Sequence, residues 1–220
     1  MRYILFMLPV YILTLVIQLW LNGTVKKYSK VRTSRGINGA AAANQVVQRG
    51  GAYGVKIARI RGSLTDNFNP ASNTVFLSEP VCDVSSVTAV GIACHEAGHA
   101  LQYAEGYGPM KLRAALIPVC NFGSRLSFPL MIIGMILQFD LLIFIGVLCF
   151  SLIALVQLVT LPVEFNASRR AMEAIRESGL LTQEEQKGAR RVLTAAAMTY
   201  VGALATSLLQ LLYYVRRFKR

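Results

Sequence analysis

Hydrophobic positions fall along this chain in two regimes. In the first they are continuous: residues 3–21 carry no charge, 126–139 and 141–163 are apolar runs parted only by Asp140, and 192–215 is apolar and rich in small residues. A helix of about 20 such residues crosses a hydrocarbon core of about 30 Å. The second run extends back through Pro118 with a single charge at Arg125, so it and the third predict a tight membrane hairpin. Four spans result. The first reads as a retained anchor, because Leu19, Trp20 and Leu21 lead into Asn22 where a cleavage site needs small residues.

In the second regime the pattern shortens and alternates. Residues 39–49 predict a short helix ended by Gly50-Gly51, and Val55, Ile57 and Ile60 alternate as a strand. Turn-forming residues over 64–70 lead to a second strand at 74–77, whose edge is expected to hold an extended polypeptide by main-chain pairing. Asp83, Ser85 and Ser86 offer N-caps for a helix over about 86–104 that stops at Gly106. The chain is therefore expected to be a mainly α-helical membrane protein with about four transmembrane helices and a small α/β unit. Its predicted division is a first span in 1–21, a soluble unit in 22–117, a hairpin in 118–163, a membrane-proximal segment in 164–191, a last span in 192–215 and a basic tail in 216–220.

Composition agrees with this pattern. Of 220 residues 54% are hydrophobic and only 15% charged, against roughly 25% charged in ordinary soluble domains. The four cysteines, at 82, 94, 120 and 149, show no close pairing, which argues against a disulfide framework or a thiolate zinc site. The net charge of +12 has its source beside the spans. Basic residues crowd 26–35, 111–125 and 169–191, all on one face of a four-span topology, and the positive-inside rule makes that face cytoplasmic. Arg2 and the tail (Arg216, Arg217, Lys219, Arg220) fall on the other. A nucleic-acid patch would interleave aromatics with its charges, whereas these flank apolar runs, so no nucleic-acid partner is expected.

The chemistry sits on the helix predicted at about 86–104, which contains His95-Glu96-Ala97-Gly98-His99, an HExxH pattern. Positions i and i+4 share a helical face, so both imidazoles reach one metal ion and Glu96 stands beside it to take a proton from water. These are the only two histidines in the chain. A catalytic zinc site needs a third protein ligand. Glu105 lies six residues beyond His99, about 9 Å along the axis, and Asp140 lies in the hairpin across the membrane. Glu79 and Asp83 remain open as ligands, and Cys94 should face the core. Glu164 closes an apolar span, where a carboxylate is costly unless it is interfacial, paired with a cation such as Arg169, or bound to a metal.

The stretches HEAGHALQ (95–102), LPVEFNASRRA (161–171) and GARRVLTAAAMTYV (188–201) closely resemble the YugP-like bacterial membrane zinc metallopeptidases, and the likeness extends over nearly the whole chain. It implies a zincin-like catalytic unit, one zinc ion, and Glu164 as third ligand. It departs at 66–70, where DNFNP replaces a DHYDP-like segment. The expected activity is that of a multi-pass, membrane-embedded endopeptidase hydrolysing membrane or membrane-associated polypeptides through a metal-activated water. The expected partners are the lipid bilayer and the polypeptide substrate. His95, His99 and Glu164 would hold the metal, and Glu96 would be the base. Gln102, Asn166 and Ser168 are candidates for orienting the ligands, and Tyr200, with Arg113 and Tyr107 behind it, for stabilising the oxyanion. The rivals are an intramembrane metalloprotease with HExxH inside a span, and a non-enzymatic scaffold whose zinc takes a fourth ligand from Cys82 or Asp83.

Overall fold

A computed structural model describes residues 2–218. Met1 of the expected first span and Lys219 and Arg220 of the expected tail lie outside the described residues. The elements are α1 (Arg2–Tyr28), α2 (Gly39–Arg49), β1 (Lys56–Ile60), β2 (Asn67–Asn69), β3 (Thr74–Ser78), α3 (Glu79–Cys82), α4 (Val87–Ala104), α5 (Gly108–Ile136), α6 (Asp140–Glu177) and α7 (Gln183–Phe218). The helices α1, α5, α6 and α7 are long and apolar enough to cross a membrane. The protein is thus a mainly helical, multi-pass membrane protein with one small sheet.

Its internal contacts form two units. Among the described residues, the spanning unit comprises 2–18, 108–162 and 198–218. Large apolar side chains face outward from it: Phe144 is 63% exposed and Leu148 57%, a surface suited to lipid. Within the hairpin α5 and α6 approach closely at small residues. A Cβ on Gly146 would lie 2.8 Å from the Ser127 carbonyl oxygen, so only glycine lets the two backbones meet there.

The second unit comprises 19–107 and 163–197. It reaches beyond the expected soluble stretch because the long helices overrun their apolar runs. α5 already begins at Gly108, α6 runs unbroken to Glu177, and α7 begins at Gln183, so 164–191 is mostly helix. The extension of α6 is amphipathic. Ala167, Ala171 and Ile175, at i, i+4 and i+8, are fully buried, and this stripe continues the helix where the apolar run ends.

In the sheet β3 is central, parallel to β1 and antiparallel to β2. Two expectations change here. The 64–70 stretch is more than a turn, since Asn67–Asn69 pairs with β3. The edge assigned to β3 is not free, because both its sides are taken and the open edges belong to β1 and β2. Behind the sheet, α2 and α4 pack on a core that includes Val46, Val47, Val75, Leu77, Val90 and Ala97, all at most 1% exposed.

Candidate metal centre

Of the three N-cap candidates Ser86 is the one used. Its side chain accepts a hydrogen bond from the Ala89 N–H at 3.2 Å, opening α4. Four and seven residues after His95, His99 and Gln102 return to the same face. Between the histidines is Gly98, where a Cβ would stand 2.7 Å from the Ala167 carbonyl oxygen. Lacking one, Gly98 lets α6 approach α4 at backbone distance, which brings Glu164 against the imidazoles.

Glu164 is 2% exposed. One of its oxygens, Oε2, lies 3.3 Å from His95 Nε2 and 3.6 Å from His99 Nε2. The potential ligand atoms of the three residues all fall within 4.8 Å of one another. Tetrahedral zinc with ligand bonds of about 2.0–2.2 Å separates neighbouring ligand atoms by about 3.3–3.6 Å. The two nitrogen–oxygen distances therefore suit zinc, as does the mixture of two imidazoles and one carboxylate.

The outer ring nitrogens are also engaged. Ser168 Oγ lies 3.1 Å from His95 Nδ1, and Gln102 Oε1 lies 2.9 Å from His99 Nδ1. The direction of the second contact follows from the residues behind it. Gln102 Nε2 donates to the Val163 carbonyl at 2.8 Å and to Asn166 Oδ1 at 2.9 Å, and Asn166 Oδ1 also accepts from Arg170 Nε at 2.7 Å. Arginine is only a donor and a backbone carbonyl only an acceptor, so neither amide can turn over. His99 Nδ1 must then carry the hydrogen, leaving the Nε2 lone pair directed at the Glu164 side. Arg170 is held in turn by a two-pronged ion pair with Glu105, which it keeps below the usual carboxylate range.

Glu96 is 9% exposed. Burial raises its carboxyl above the ordinary value, against the opposing pull of His95 and His99. Cys94 faces the core, fully buried, and its thiol is raised by burial. All four cysteines are free. Glu79 and Asp83, left open as ligands by the sequence, are both engaged by Arg59, at 3.2 and 3.1 Å.

Residues 3–219 match the model of a family described as "Putative neutral zinc metallopeptidase". The chain belongs to this family. It is also 43% identical over 201 residues to "Putative membrane protease YugP" of Bacillus subtilis (strain 168), a match covering 91% of this chain and 89% of that protein. No solved structure matches. For a member of a neutral zinc metallopeptidase family, the donor set built by His95, His99 and Glu164 is the chemically apt one. Two further candidates, Tyr200 on α7 and Arg113 on α5, belong to the spanning unit, and their assignment to the oxyanion rests on the sequence. Sequence reasoning missed Arg170 and its pairing with Glu105. The only local signal was the spacing of Asn166 and Arg170, four residues apart and so on one helix face.

Proposed function

We propose that this protein is a zinc-dependent endopeptidase that hydrolyses peptide bonds in membrane or membrane-associated polypeptides. The observation that carries the reading is the largely buried three-donor cluster, with Glu96 beside its two histidines on α4. Three protein ligands leave one coordination position open, as a catalytic site requires and a closed structural site does not. That favours hydrolysis over a scaffold. The intramembrane alternative is disfavoured because α4, which bears HExxH, is not among the helices apolar and long enough to span.

His95, His99 and Glu164 hold one zinc ion in this reading. A zinc ion bound there would supply Lewis-acid polarisation of the scissile carbonyl and would acidify a water. The Glu96 carboxylate would take the proton from the attacking water and hand it to the departing amine nitrogen. Gln102 keeps His99 in the metal-ready tautomer, Ser168 orients the His95 ring through Nδ1, and Asn166 keeps Gln102 from turning. The edge strand β2 is the proposed support for an extended substrate. The site is assigned to the cytoplasmic face, on the basic residues that flank it.

The deciding experiment uses purified full-length wild type, Glu96→Gln and Glu164→Ala. Glu96→Gln is expected to keep bound zinc while turnover of an unfolded membrane protein falls by about 10²–10⁴. Glu164→Ala is expected to lose the metal. Full activity in Glu96→Gln rejects the base, and unaltered zinc content in Glu164→Ala rejects the third ligand.

A further inference from the structure

The spanning unit contains an open pit of about 360 Å³ that plays no part in the proposed reaction. Phe128, Met131 and Met135 of α5 contribute apolar wall, while Tyr3 of α1 and Tyr213 and Arg217 of α7 bring polar ends to the lining. Its volume lies within the roughly 300–1,000 Å³ of ordinary ligand sites. The pit takes the first residues of α1 and the last turns of α5 and α7, and so sits at one end of the spanning helices. The rings of Tyr3 and Tyr213 meet edge-on at 4.8 Å there. Tyrosine collects at this depth because its ring is apolar and its hydroxyl seeks the headgroup layer.

Charge at this end is mainly positive. α1 begins at Arg2 and α7 ends through Arg216 and Arg217, and the sequence continues with Lys219 and Arg220. Across the whole unit the sequence offers one acidic residue, Asp140 at the start of α6. An apolar hollow with hydroxyls and a guanidinium in its lining, at an end where basic residues outnumber the one acidic residue, matches an amphiphile with a negative head. We infer that the pit is a binding site for one anionic phospholipid, its acyl chain against Phe128, Met131 and Met135 and its phosphate at Arg217. A partner's transmembrane helix, about 10 Å across, is too broad for a hollow of this size, and a second copy would bring the same arginines to face these.

The test is native mass spectrometry of the full chain in neutral detergent, titrated with phosphatidylglycerol, with phosphatidylcholine, or with inorganic phosphate alone. One phosphatidylglycerol should be retained, at least about fivefold more tightly than phosphatidylcholine. Arg217→Gln should remove most of that preference, by the weight of one basic side chain near a charged surface. Met135→Trp, which fills the pit from its exposed side, should weaken both lipids. Tyr213→Phe, with the ring kept and the hydroxyl lost, gives a second reading at the same locus, and circular dichroism reports whether each variant is folded. Equal retention of the two lipids, an unchanged preference in Arg217→Gln, equivalent binding of phosphate alone, or a dimer in place of a lipid adduct would each overturn the inference.

Discussion

His99 is held by a relay in which each member removes one freedom from the next. Arg170 fixes Asn166, Asn166 and the Val163 carbonyl fix Gln102, and Gln102 fixes which ring nitrogen is protonated. Gln102→Leu breaks the relay at its centre and leaves buried polar atoms unpaired. Zinc affinity, read by competition with a chelator, is expected to fall about 10–100-fold, with a stability loss of about 1–3 kcal/mol in thermal unfolding. Arg170→Leu should act more weakly and in the same direction, since Asn166 keeps its contact with Gln102 but loses the donor that orients it. At this scale the sequence is most informative about the histidines. Their spacing is a local property of one helix, and no third histidine competes with them. Glu164 needed more, namely elimination among carboxylates and the likeness of PVEF to a known family. The Arg170–Glu105 pair joins residues 65 apart in sequence, and no local pattern predicts which of the many arginines Glu105 will meet.

Among the elements, the packing of α4 on α6 determines whether the donors converge. Gly98→Ala places a methyl group against the Ala167 carbonyl, where neither backbone can yield cheaply. The expected result is a stability loss of about 1–3 kcal/mol, seen as a lower unfolding temperature in detergent, together with weaker metal retention. A pure overpacking effect elsewhere in the fold would lower the temperature and spare the metal. The long helices were legible as spans because an uninterrupted apolar run admits few other structures. Their ends were not. The final turns of α6 are stabilised by Ala167, Ala171 and Ile175 packing into the core, a tertiary gain that hydropathy does not register. β2 went unseen for a related reason: three residues carry no periodicity, and Asn67–Asn69 is a strand only because β3 lies beside it.

For the whole molecule the open prediction is orientation. The basic residues around the α1 exit, the start of α5 and the α6–α7 link argue for a cytoplasmic site, while those at the α7 end argue the other way by a smaller number. In intact cells a membrane-impermeant thiol reagent should label Asp140→Cys and leave Ser63→Cys untouched until the membrane is broken. The reverse pattern would put the site on the outer face. α6, at 38 residues and about 57 Å, carries both bilayer-crossing length and Glu164. Since the second unit is assembled from 19–107 and 163–197, no single cut isolates it: excising the portion before α5 would deliver His95 and His99 without Glu164. Membrane attachment in this protein is thus no tether that a protein engineer can trim away, because two further spanning helices, α5 and α6, intervene before the second unit is complete.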